Sequence, residues 1–239
     1  MKIIFIVAIT LFSLTSCSLQ KEIPNNPSVD TNSLYPSPSI VIPNHSEWTK
    51  KHYIERIAEF KANPLQFGDI VFIGNSITEQ GRNWGQRFNN STVKNRGIAG
   101  DVTAGVINRL AEIYYFKPKK VFIKIGINDL FRDELTPEYV ASNIKSIVDK
   151  IHLESPKTKI YVQTILPTSK DTPLKQKIQK TNAIIMSDIQ SKYCQIIDLH
   201  SLFADANDLM ISSYSFDGVH LTEEGYILWQ NYVKDYVNK

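Results

Sequence analysis

Ile70-Val71-Phe72-Ile73 is the first of five short apolar or β-branched runs that alternate with longer stretches of helical period. A run of this kind, ended by Gly74, fits a strand buried on both faces. Further strands are expected over residues 92–96, 120–125, 159–166 and 195–199. Between them, 103–116 sets Val106, Leu110 and Ile113 on one face and stops at Pro118. Helices are also expected over 137–153, 174–192 and 222–237. One helix precedes the first strand: Asn44 with Glu47 reads as an N-cap and its partner. It runs to about residue 61, with Trp48, Tyr53, Ile57 and Phe60 available for one face and Pro64 beyond its end. Repeated strand–helix units predict an α/β fold, a parallel sheet covered by helices on both faces. With 42% hydrophobic and 21% charged residues, the chain can fill such a core. In sheets of this type ligands bind outside the carboxyl ends of the strands, so the residues that follow each run matter most.

The N-terminus reads differently. Lys2, the apolar stretch 3–14 and the ending Leu14-Thr15-Ser16-Cys17 have the form of a secretory signal over 1–16. The ending resembles a bacterial lipobox, which implies cleavage before Cys17, lipid on its thiol and a lipid-anchored place in the cell envelope. Ordinary signal cleavage near Ser16 is the alternative. Residues 17–44 hold Pro24, Pro27, Pro36, Pro38 and Pro43 among Asn and Ser, the composition of an extended tether. The domain is therefore expected over 45–239, with Cys194 as a small buried hydrophobe.

Four polar clusters follow the expected strands or precede the last helix: Gly74-Asn75-Ser76-Ile77-Thr78, Arg96-Gly97-Ile98-Ala99-Gly100-Asp101, Gly126-Ile127-Asn128-Asp129 and Asp217-Gly218-Val219-His220-Leu221-Thr222. Each alone has a local reading as a turn or helix cap. Together they supply the parts of acyl transfer. A serine hydroxyl needs a base, and His220 suits that role near neutral pH. Asp217, three residues earlier, can turn back to hold one imidazole nitrogen. The backbone amides of Ser76 and Gly100 and the Asn128 side chain are candidate donors to an oxyanion.

The four blocks, in this order, resemble the SGNH (GDSL-type) hydrolase superfamily, and Gly97-Ile98-Ala99-Gly100-Asp101-Val102-Thr103 with Arg109-Leu110 is similar to its platelet-activating-factor acetylhydrolase-like branch. The resemblance covers about 69–237. It implies Ser76 as nucleophile, Gly100 and Asn128 as oxyanion donors, Asp217 and His220 completing a triad, and a flavodoxin-like three-layer α/β/α sandwich with a five-stranded parallel sheet. The first block departs from the family's Gly-Asp-Ser by reading Gly-Asn-Ser, with Asn75 able to keep the turn.

Asp198-Leu199-His200 is a competing acid–base pair at the end of the last strand, read as structural. His45, His52 and His152 lie among charges and are expected in solvent; Tyr114-Tyr115-Phe116 and Trp229 are expected in the core. Neither a metal-binding His-Glu-x-x-His nor a Gly-x-Gly-x-x-Gly or Gly-Lys-Ser/Thr loop occurs, so no metal or cofactor is expected. A net charge of +3 without a basic cluster gives no nucleic-acid partner. Two classes of function fit: an esterase for acetyl or other short acyl groups, acting on glycans or on lysophospholipids and other small esters, and a non-catalytic binding lipoprotein on the same fold. The acyl acceptor and the oligomeric state stay open at this level.

Overall fold

The computed structural model describes residues 30–239; the signal segment, Cys17 and the first part of the expected tether lie outside the described residues. Strands β1 (Ile70–Gly74), β2 (Val93–Gly97), β3 (Lys120–Lys124), β4 (Lys159–Gln163) and β5 (Cys194–Ile197) form one sheet in the order β2-β1-β3-β4-β5. Every pairing is parallel. The helices are α1 (Glu47–Ala62), α2 (Ser76–Glu79), α3 (Trp84–Arg87), α4 (Thr103–Asn108), α5 (Ala111–Phe116), α6 (Ile127–Leu130), α7 (Pro137–Glu154), α8 (Pro173–Ile184), α9 (His200–Phe203) and α10 (Glu223–Asn238).

Alternate strand residues point to opposite faces, and each face has its own core. Val71, Ile73, Val121, Ile123, Ile160 and Val162 pack with residues of α4 to α8. Ile70, Phe72, Phe122, Tyr161 and Ile197 pack with α3 and α10. On that second face Phe72, Phe122 and Tyr161 share one register across β1, β3 and β4, and their rings stack at 4.5 and 4.7 Å. This is the expected α/β/α sandwich. The strand order reverses between β1 and β3, so the carboxyl ends of these two strands flank the crevice where such folds bind ligands.

Several boundaries differ from expectation. The 103–116 helix is two, because Arg109 leaves the helix to reach carbonyls at the ends of β1 and β2. The 174–192 helix ends as a π-turn over Ile185–Ile189. The N-cap of α1 is Ser46, whose hydroxyl accepts from the Thr49 amide; Asn44 sits at φ +68° and caps nothing. The core face of α1 holds Thr49, Tyr53, Ile57 and Phe60, whereas Trp48 stands in solvent against the His52 ring. Cys194, Phe116 and Trp229 are buried as expected.

Residues 31–44 correct the tether reading. Leu34 and Ile42 are buried, and Tyr35 donates its hydroxyl to Glu112 Oε1 at 2.8 Å. The prolines space these apolar residues rather than keep them off the domain. The solvated reading of the histidines also fails. His45 is buried, His52 bonds Glu79 at 3.0 Å, and His152 stacks on Tyr193 at 3.9 Å.

Lys124 ends β3 fully buried, 5.9 Å over the Trp229 ring, and burial pushes its ammonium down to about 7. An unfolded lysine titrates near about 10.4. Between these values the folded chain holds fewer protons than the unfolded one, so this group makes stability rise with pH across that window. Lys124→Met is expected to raise Tm by about 5 °C at pH 7, with the gain shrinking toward pH 10. Thermal melts at both pH values check this, and a lower Tm or a gain independent of pH contradicts it.

Candidate active site

β1 ends at Gly74, and a Cβ there would lie 2.2 Å from the Lys124 carbonyl oxygen, so only glycine allows the close turn. Asn75 caps α2 by accepting from the Ile77 amide at 3.1 Å. The cap needs a side-chain oxygen, which Asn supplies as Asp would, without placing a charge in this buried position. Ser76 is therefore the first residue of α2, where its amide has no helical acceptor. Gly97 lets α2 lie on the end of β2: a Cβ would meet the Glu79 amide nitrogen at 2.2 Å.

Ser76 Oγ donates to His220 Nε2 at 3.0 Å, and His220 Nδ1 donates to Asp217 Oδ2 at 2.6 Å. Asp217 Oδ1 accepts from the backbone amides of Val219 and His220 at 2.9 and 2.7 Å, so the turn orients its own acid. Burial alone would raise the Asp217 carboxyl. The bonds from the His220 side chain and these two amides outweigh it and hold the group below the usual range. Ser215 Oγ donates to the His220 carbonyl and accepts from Gly218 N, closing the loop. Phe216 lies parallel to the imidazole at 5.9 Å.

Gly100 takes φ +78° with Thr49 against it, where a Cβ would lie 2.4 Å from Thr49 Oγ1. Asn128 follows Gly126, which takes φ +125°, and its Nδ2 donates to the Asp101 carbonyl at 2.8 Å. Asp129, next in the chain, is buried and accepts from the amide and hydroxyl of Thr103. Burial pushes its carboxyl up to about 6, against the Thr103 bonds and with the Asp101 charge. Gly100 and Asn128 line one cavity of about 270 Å³ with Asn44, Ser46, Thr49 and Arg132 and with the apolar Val102 and Phe131. A second cavity, of about 430 Å³, shares Phe131 with the first and reaches Asp217, Gly218 and Val219.

Asp198 and His200 do not meet as a pair. Asp198 accepts from Thr164 and Ser201, while His200 bonds Asp208 at 2.7 Å and the Ile165 carbonyl at 2.8 Å. Both residues hold loops together. Asp101 and Arg109, eight residues apart, carry no role that the sequence pattern alone points to. The Arg109 guanidinium grips Asp101 Oδ2 with two nitrogens at 3.0 and 3.1 Å and also reaches the carbonyls of Gly74 and Arg96.

Such an arrangement can activate a hydroxyl, fix the imidazole tautomer and offer hydrogen-bond donors to a developing oxyanion. On this fold it defines a carboxylic ester hydrolase. The GDSL-like Lipase/Acylhydrolase family profile matches residues 72–228, and the chain belongs to that family. It is 33% identical over 165 residues to the platelet-activating factor acetylhydrolase IB subunit alpha2 of Rattus norvegicus, covering 66% of this chain and 71% of that protein. The alpha1 subunit of Pongo abelii is 26% identical over 198 residues, covering 80% and 83%. The crystal structure of a GDSL-like lipase from Bacteroides thetaiotaomicron superposes with a TM-score of 0.68 at 25% identity, covering 77% of this chain and 96% of that one.

Proposed function

We propose that the protein is a serine esterase that removes acetyl groups from carbohydrate hydroxyls through an acyl-enzyme on Ser76. Ser76 Oγ attacks the ester carbonyl carbon as His220 takes its proton. The amides of Ser76 and Gly100 and the Asn128 side chain receive the oxyanion. Collapse of the tetrahedral intermediate breaks the ester C–O bond, and His220 returns its proton to the leaving alcohol oxygen. Water, deprotonated by the same imidazole, then releases acetate and free Ser76.

The observation that carries the substrate class is the pair of cavities. The leaving alcohol takes its proton from His220, and the 430 Å³ cavity beside residues 217–219, the turn that precedes this histidine, combines Leu130, Phe131 and Leu174 with Thr168, Ser169 and Lys170. An apolar face with hydroxyl and ammonium partners suits a sugar ring. The cavity beside Gly100 and Asn128 is walled by Asn44, Ser46, Thr49 and Arg132 together with Val102 and Phe131, and its volume of about 270 Å³ suits a short acyl chain better than a long one. The acetylhydrolase name of the 33%-identical relatives supports the same chain length.

Turnover is expected to be fastest for acetyl esters, lower for butyryl and lowest for C12, with acetate released from acetylated sugars. A panel of p-nitrophenyl esters, acetylated sugars and lysophospholipids tests this. Faster hydrolysis of the C12 ester, or turnover of lysophospholipid without turnover of acetylated sugars, would replace this reading with the lipid-directed one.

A further inference from the structure

We propose that His45 is a positioning residue for the oxyanion side of the site, acting through Asp101. This rests on the reading of Gly100 and Asn128 as oxyanion donors. Asp101 is fully buried and follows Gly100 directly. Its carbonyl oxygen holds the Asn128 amide, and its carboxylate Oδ2 holds Arg109, which in turn holds the Gly74 carbonyl just ahead of Asn75-Ser76. One aspartate thus links the end of the nucleophile strand with Gly100 and Asn128.

With Oδ2 taken by Arg109, the other oxygen needs its own donors. Oδ1 accepts from the Val102 amide at 3.0 Å and from His45 Nε2 at 3.0 Å. The fit is close: a Cβ on Gly105 would lie 1.8 Å from Oδ1 and 3.1 Å from His45 Nε2. The imidazole is itself held. Its ring leans on Tyr53 at 5.2 Å, and the Tyr53 hydroxyl donates to the Gly105 carbonyl at 3.0 Å. Asn44, just before His45, accepts from Arg132 Nη2 at 2.6 Å, and both line the cavity shared by Gly100 and Asn128. The segment at 44–46 is a wall of the site.

Without His45, Oδ1 keeps one donor fewer in a site that water does not reach, and the carboxylate is free to turn toward other donors. Its peptide, bonded to Asn128 and adjacent to Gly100, moves with it. Oxyanion donors act only when aimed at the charge that forms in the transition state, so such a shift lowers kcat and leaves substrate binding alone.

The test is kcat and KM on p-nitrophenyl acetate for the wild type, H45A, H45N and H45Q, with folding followed by Tm. In H45Q the amide nitrogen can take the place of Nε2; in H45N it falls short. H45A and H45N are expected to lose about 10- to 100-fold in kcat with KM little changed, and H45Q to stay near the wild type. The proposal is overturned if H45A or H45N keeps the wild-type kcat, if H45Q is as slow as H45A, or if the loss appears in KM. Should H45A fail to fold, H45N against H45Q gives the same decision. N128A measured alongside separates the two readings. A normal kcat in N128A removes the oxyanion assignment and this proposal with it, whereas a slow N128A with a normal H45A removes only the role of His45.

Discussion

Ser76→Ala is expected to lower kcat/KM for p-nitrophenyl acetate by at least about 10,000-fold. Ser76 is the hydroxyl bonded to His220 Nε2, the nitrogen that serves as base in the proposed mechanism. His220→Ala should fall as far, because a serine hydroxyl with no base is a weak nucleophile. Groups that act as one unit are not additive, so the double variant is expected to be little worse than either single one. Asp217→Ala should cost less, since its part is to orient the imidazole and stabilise its charged form. His200→Ala should leave the rate near normal, its partners being Asp208 and the Ile165 carbonyl. A Ser76→Ala enzyme with more than about a hundredth of wild-type activity would remove the nucleophile assignment. Loss of activity in His200→Ala with His220→Ala active would move the base to the other histidine.

Much of this site was legible in the sequence because its parts lie at the ends of patterned elements. The run 70–73 is uniformly apolar because both faces of β1 are covered, and Gly74 marks its end. Asp217 and His220 are three residues apart, so their bond is a local turn that spacing alone suggests. The His45–Asp101 bond joins residues 56 apart, and nothing in the composition around His45 points to its partner. The proline-rich stretch misled for a related reason. Prolines predict an extended chain held off the domain, but the segment starts with a 3-10 turn over Thr31–Leu34 and lies on the domain, burying Leu34 and Ile42 with Tyr35 packed half-buried beside them. The break between α4 and α5 was equally hidden, since 103–116 keeps its helical period and the cause is the reach of Arg109 to another strand. Local periodicity records which residues face a core. It does not record which polar groups meet across the sheet.

Asn128→Ala separates rate from stability most cleanly. It is expected to lower kcat about 100- to 1,000-fold with KM little changed, since the oxyanion exists only near the transition state. That loss corresponds to about 3–4 kcal/mol of transition-state stabilisation. The substitution also removes the bond from Nδ2 to the Asp101 carbonyl. A bond of that kind contributes about 1 kcal/mol to folding, which lowers Tm by only about 2–4 °C in a domain of this size. A fall of that size leaves the enzyme folded at assay temperature, so the lost rate cannot come from unfolding. Steady-state kinetics and a thermal melt on the same preparation make the comparison. If kcat holds while KM rises, Asn128 binds the ground-state substrate instead. If Tm falls by far more than a single bond explains, its main work is to tie the turn after β3 to the turn after β2.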